Sequence, residues 1–296
     1  MSNPVKIMHC IWFDDNAEEA AAFYARVFDN ASVGQTEKYS EEAAAASGKH
    51  IGDTMVALFT LENLEFLGLN GGPQFKPNPA ISFFIHCDTE AEVERYFNAL
   101  AKEGKTLMPL GKYDFSDKYG WCEDRFRVSW QVMLTNSDVV KRSKLMPCLL
   151  FTGDVSGKTR EAVDLYTSIF DQSKTGQMVP YTQPGLGDKT MYADFMIAGQ
   201  WMAAMDSPQD HAFDFTEGNS IMILCDTQQQ IDHFWDRLTE NGGTESVCGW
   251  LKDKFGVSWQ VAPANMAEIN RSPAAMSAMM KMKKLDLAVL TAAAEE

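Results

Sequence analysis

Trp121-x-x-Asp-Arg-Phe-Arg-Val-Ser-Trp-Gln131 returns as Trp250-x-x-Asp-Lys-Phe-Gly-Val-Ser-Trp-Gln260, an offset of 129 residues between Gln131 and Gln260. Upstream, Phe84-Ile-His-Cys-Asp-Thr89 returns as Met222-Ile-Leu-Cys-Asp-Thr227 with an offset of 138, and Cys10 and Cys148 keep that spacing. The chain is therefore a tandem duplication. The change of offset places nine extra residues in copy one between Gly104 and Trp121, around Leu107-Met-Pro-Leu-Gly-Lys-Tyr-Asp-Phe115.

Working outward, the polar stretch Ser137-Asp-Val-Val-Lys-Arg-Ser-Lys144 reads as the joint, dividing a first domain over 1–138 from a second over 145–270. A tail over 272–296 opens on Ser272-Pro273, a helix start with proline at the first position. Met276, Met279, Met280, Lys283 and Leu287 then recur at three- and four-residue spacings. This predicts an amphipathic C-terminal helix packed across the body.

Within copy one, Ile7-Met-His-Cys-Ile-Trp-Phe13 reads as a strand. Asn16-Ala-Glu-Glu19 fits a capping box, and Ala20, Phe23, Tyr24 and Val27 continue one helical stripe. Strands follow over 32–39, 54–61 and 64–70, closed by Asn70-Gly-Gly-Pro73. The pattern restarts with a strand over 80–87, a helix over 89–102 capped by Thr89, and strands ending in Phe126–Leu134. Each copy is thus two βαβββ units, and the expected class is α+β, with the two units of a copy forming a curled sheet around a cleft. Alternation along the final strand sets Val128, Trp130 and Val132 under the helices and Ser129, Gln131 and Met133 in the cleft. On the first strand His9, Ile11 and Phe13 share one face and Met8, Cys10 and Trp12 the other; the His9 face is assigned to the cleft, with His9 itself read as a polar lining group or a satisfied core histidine. Trp121 and Trp250, beside a glycine at the approach to each last strand, suit either a pocket wall or a core plug.

Composition excludes some functions. A formal net charge of −15 repels phosphate backbones and anionic lipid, so neither nucleic acid nor membrane is an expected partner. The N-terminus runs into strand sequence without a signal-peptide pattern, and no stretch approaches a membrane span. Six cysteines have no CxxC pair or zinc-like spacing, and four sit in apolar runs, so a reduced, cytoplasmic protein is expected. No P-loop, Gly-x-Ser-x-Gly or His-Glu-x-x-His pattern occurs. His211, among Asp210, Asp214 and Glu217, reads as part of a solvated loop rather than an acidic metal site.

Trp12-Phe-Asp-Asp-Asn-Ala-Glu-Glu-Ala20 with Phe23-Tyr24, Leu69-Asn-Gly-Gly-Pro-Gln-Phe75, and Gly249-Trp-Leu-Lys-Asp-Lys-Phe-Gly-Val-Ser-Trp-Gln260 resemble the PhnB-like branch of the vicinal oxygen chelate superfamily. That superfamily includes glyoxalase I, extradiol dioxygenases and bleomycin-resistance proteins, and this branch often carries the label 3-demethylubiquinone-9 3-methyltransferase. The resemblance spans nearly the whole chain. It implies a cleft in which enzymes of the superfamily hold a divalent metal on His, Gln or Glu ligands, a Lewis acid for adjacent oxygens. Carried over, it puts His9 at the first ligand position and Gln131 where a Glu usually closes the set. The positions between fall on Ser82 and Phe66–Leu67, which are not ligands. Copy two has Pro147 in place of His9, and Gln260 repeats Gln131. Half a ligand set favours no cofactor over a divalent metal. Methyl transfer would call for a glycine-rich loop after a parallel strand, and none is present.

Three readings follow: a metal-free small-molecule-binding protein; a metal-dependent glyoxalase- or dioxygenase-like enzyme using His9 and Gln131; and a non-catalytic interaction protein. The first is preferred, with a homo-oligomer as a possible assembly. Its expected ligand-binding residues are His9, Ile11, Phe13, Asn70, Trp121, Ser129, Gln131, Met133, Trp250 and Gln260.

Overall fold

A computed structural model describes residues 4–135 and 142–295. Ser137–Lys141 of the expected joint lie outside the described residues. Four units succeed one another. The first is β1 (Lys6–Phe13), α1 (Ala17–Val27), β2 (Ala31–Lys38), a short α2 (Glu41–Ser47), β3 (Thr54–Leu61) and β4 (Leu64–Asn70). The second is β5 (Ile81–Cys87), α3 (Glu90–Ala101), β6 (Lys105–Tyr113), β7 (Ser116–Glu123) and β8 (Ser129–Leu134). Copy two supplies β9 (Leu145–Phe151), α4 (Thr159–Ile169), β10 (Lys174–Pro180), β11 (Thr190–Ile197) and β12 (Gln200–Asp206). The last unit is β13 (Asn219–Cys225), α5 (Gln228–Thr239), β14 (Thr244–Glu245), β15 (Trp250–Lys252) and β16 (Ser258–Pro263). A short α6 (Met266–Ile269) follows β16, and the tail carries α7 (Pro273–Met279) and α8 (Leu287–Ala294).

The α+β class and the two curled sheets hold, but the units combine differently from the expectation. One eight-stranded sheet runs β14-β15-β16-β13-β1-β4-β3-β2 and the other β10-β11-β12-β9-β5-β8-β7-β6. Each sheet thus joins one unit from each copy: β1 pairs antiparallel with β13, and β5 with β9. The first strand of every unit is apolar on both faces, so it must lie at a sheet centre, and any other first strand is a chemically suitable neighbour. What falls mainly within a single copy is the helix-side core. One cluster joins Phe13, Tyr24 and Phe59 to Phe83, Phe97 and Trp130, and a second joins Phe151, Tyr166 and Phe195 to Phe234, Phe255 and Trp259.

Within each copy a buried aspartate ties the two units together. Oδ1 of Asp124 accepts from the amides of Phe126 and Val128 (2.8 and 3.1 Å), and Oδ2 from Trp130 Nε1 and the Tyr24 hydroxyl (2.8 and 2.7 Å). Asp253 repeats the arrangement with Phe255, Val257, Trp259 and Tyr166. Burial pushes both carboxyls up to about 6, against hydrogen bonds that favour the ionised form.

Two local expectations are corrected. Asn16 makes no capping bond; Asn70, at the end of β4, reaches across and its Oδ1 accepts from the Ala17 amide (2.9 Å). The tail over 272–296 is not one helix but two short ones, with Ser272 capping α7 and Asp286 capping α8. No helix among the described residues is long and apolar enough to cross a membrane.

Candidate functional site

The two sheets have equivalent concave faces with different fates. Over the first sheet the concave residues Met8, Met222 and Ala262 are buried against Ala275, Met276, Met279, Leu285 and Leu290 of the tail and against Tyr39, Ala43 and Ala44 around α2. The tail is fastened at the short copy-two hairpin, where the amides of Cys248 and Gly249 donate to the carbonyls of Met282 and Lys283 (2.8 and 2.9 Å). Gln228 of α5 adds bonds to Leu285 and Leu287. The tail thus packs where copy one has its longer β6–β7 hairpin, the segment that holds the nine extra residues.

Over the second sheet that long hairpin stands as a wall, and the concavity stays open as a cavity of about 630 Å³. Its floor is Phe84 and His86 of β5, Gln131 and Met133 of β8, Leu150 of β9 and Met205 of β12. Met108, Phe115, Tyr119 and Trp121 form one side; Val179, Met191 and Tyr192 form the other. Methionine and aromatic rings dominate, a surface that adapts to flat apolar bodies.

Polar groups here are few and largely partnered. The Tyr119 hydroxyl donates to Gln131 Oε1 (2.6 Å), and Gln131 Nε2 donates to Ser82 Oγ (2.8 Å). Trp121 Nε1 donates to Ser129 Oγ (2.7 Å). At the rim Arg142 grips Asp194 through Nε and Nη2 (2.9 and 3.1 Å) and lies over the Trp201 ring. Lys144 bonds Glu92. Burial pushes the Cys148 thiol beneath Gln131 up to about 12, so it is protonated and no nucleophile.

The residues singled out from sequence scatter accordingly. Trp121, Gln131 and Met133 line the open cavity, with Ser129 behind Trp121. Gln260 lies on the concave face of the other sheet, its Nε2 bonded to Ser220 (3.0 Å). Trp250 packs against Trp12, and Ser258 Oγ, counterpart of the Ser129 oxygen, has no partner among the described residues. Asn70 is a helix-capping residue. His9, Ile11 and Phe13 are a correction: they face the helix-side core, and Met8, Cys10 and Trp12 take the concave side. The core demands that face, because Ile11 and Phe13 pack with Ala17, Ala20 and Phe66 beneath α1.

His9 is 2% exposed, edged by Phe66 and Phe83. Gln200 Nε2 donates to the Ile7 carbonyl (3.0 Å), leaving its Oε1 to accept from His9 Nε2–H (3.3 Å). His9 and Gln131 therefore lie on different sheets, one committed to Gln200 and the other with both amide atoms used. This donor pair does not fit a divalent metal. Among the described residues no group of three or more His, Cys, Asp and Glu is placed to hold one. His211 bonds Ser207 Oγ (2.7 Å) in a loop.

Burial lowers the His9 pKa from 6.5 to about 4. Below pH 6.5 the unfolded chain takes up a proton that the folded protein refuses until about 4, so this group's contribution to stability is lost as pH falls through that window. Asp124 and Asp253, raised to about 6, act in the opposite sense over an overlapping range. The contrast with His9→Gln isolates the histidine: the gap in unfolding free energy between wild type and variant should move by about 3 kcal/mol, in the variant's favour, between pH 7 and pH 4. Parallel urea-unfolding profiles over that range would show that His9 titrates normally.

Sequence patterns passed over several cavity residues. Tyr192, Arg142 and Asp194 come from copy two and the joint, and enter only through the cross-copy pairing. His86 stood inside the quoted repeat, opposite Leu224, and that polar-for-apolar difference was the available signal.

The sequence profile of the family described as 3-demethylubiquinone-9 3-methyltransferase matches residues 5–133 and again 143–262. A PhnB protein from Bacillus cereus is 37% identical over 44% of this chain and 99% of its own, with a TM-score of 0.40. A Pseudomonas aeruginosa protein is 27% identical over 42% of this chain and 93% of its own, with a TM-score of 0.36. Glyoxalase I from Zea mays superposes over 88% of this chain and 94% of its own with a TM-score of 0.55 at 9% identity, a likeness of fold alone. No curated protein matches the sequence. Two profile matches that together cover most of the chain make it a member of the PhnB-like family described as 3-demethylubiquinone-9 3-methyltransferase, carried as two tandem copies.

Proposed function

We propose that the chain is a small-molecule-binding protein with one working cleft, that of the second sheet, and that its ligand is a compact organic molecule with an aromatic body. One observation carries this reading: of two equivalent concavities, one is filled by the chain's own methionines and leucines while the other stays open at about 630 Å³, within the range of small-molecule pockets. Trp121, Met133, Phe84 and Tyr192 form the apolar grip, and Gln131, held by Tyr119 and Ser82, is a fixed polar point on the floor. The reading needs no metal and no methyl donor.

Naphthalene titrated against the protein, followed by tryptophan fluorescence, tests it. One molecule should bind per chain, and Met133→Trp, which fills the cavity, should weaken binding at least about tenfold, the equivalent of about 1.4 kcal/mol. Absence of saturable binding, or binding indifferent to Met133→Trp, would refute it.

A further inference from the structure

His86 stands out among the cavity's polar groups because its bonding defines its protonation. Its Nδ1 lies 2.9 Å from the Ser143 carbonyl oxygen. A carbonyl can only accept, so the ring proton is on Nδ1. The ring lies parallel to that of Phe84, with centroids 5.9 Å apart, and both line the cavity. Burial holds the imidazole below its ordinary pKa, so the neutral ring prevails near pH 7. Nε2 is then a lone-pair acceptor, and among the described residues nothing donates to it. Tyr119, Gln131 and Arg142 have partners of their own.

We propose that the ligand of this cleft is a hydroxylated aromatic or enolic compound whose O–H donates to Nε2 of His86 while its ring rests among the methionines and aromatics; this rests on the small-molecule reading above. The surroundings suit a hydroxyl better than a protonated amine. Arg142 and Lys144, which line the same cavity, are already paired with Asp194 and Glu92, so an ammonium would bring a full charge into an apolar cleft whose carboxylates are engaged. A neutral hydroxyl carries no such charge and supplies the one donor that Nε2 lacks. The first sheet cannot do the same, because Leu224 occupies the position of His86 and the tail covers that face.

Three probes of one shape decide the matter: naphthalene, 2-methoxynaphthalene and 2-naphthol. Wild-type protein should bind 2-naphthol about 3- to 10-fold more tightly than 2-methoxynaphthalene, the ratio one neutral hydrogen bond supplies. His86→Phe should erase that preference, bringing the two affinities within about twofold of each other, and His86→Gln, which restores an acceptor, should recover part of it. In labelled wild-type protein, 2-naphthol should also shift the 15N resonance of Nε2 and leave the Nδ1 proton in place. Equal wild-type affinity for the naphthol and its methyl ether overturns the hydroxyl assignment and leaves the cleft reading standing. Failure of all three probes to bind overturns both.

Discussion

Asp124→Ala should lower the unfolding free energy by about 3–5 kcal/mol, because it strands two backbone amides, an indole N–H and a tyrosine hydroxyl in a buried site around what was an ionised acceptor. The donors come from both units of copy one: Tyr24 lies on α1, whereas Phe126, Val128 and Trp130 lead into β8. The substitution therefore loosens the seam between units as well as a turn. Asp253→Ala should cost a similar amount, since Tyr166 and Trp259 repeat the geometry. Asp124→Asn should lose less, about 1–3 kcal/mol, because one oxygen still serves the amides while its NH2 confronts the Trp130 N–H. Denaturant midpoints measure all three. An alanine variant within about 1 kcal/mol of wild type would mean that apolar packing alone holds the units together.

The second large effect concerns the tail. Leu285 and Leu290 are fully buried against the concave face of the first sheet or its α2 flank, so alanine at either should cost about 2–5 kcal/mol. Removing residues 265–296 should do more than destabilise. It uncovers Met8, Met222 and Ala262 together, an apolar patch that recruits dye or other protein molecules. The truncated chain should bind 1-anilinonaphthalene-8-sulfonate with strongly enhanced fluorescence and self-associate in sedimentation, while full-length protein does neither at that face. Unchanged dye binding and stability would show that the tail covers nothing of consequence.

What was legible in sequence follows contrast between neighbouring residues. On β8 polar Ser129 and Gln131 alternate with apolar Val128, Trp130 and Val132, so its faces could be sorted on sight. On β1 nearly every position is apolar, and alternation carries no signal. The one polar residue in the strand's interior, His9, pointed towards a cleft because a histidine is expected near solvent or ligand; in the fold Gln200, from the other copy, satisfies it in the core. The four βαβββ units were visible in the repeat, but their partners were not, since β1, β5, β9 and β13 are near-equivalent apolar strands. With pairing unreadable, so was the cavity, half of whose wall comes from copy two.

The cross-copy pairing also bears on how the chain reaches this state. Lys6 sits opposite Leu224, so the centre of the first sheet closes only when segments more than two hundred residues apart meet. A chain emerging from the ribosome presents β1 long before β13 exists, with an apolar strand edge open for much of synthesis. The second sheet has no such delay, because β5 and β9 are separated by little more than one unit. The second sheet should therefore form first and the first sheet last, with the tail sealing it at the end. Copy one made alone would carry two open central edges, and its natural remedy is to pair with another molecule of itself.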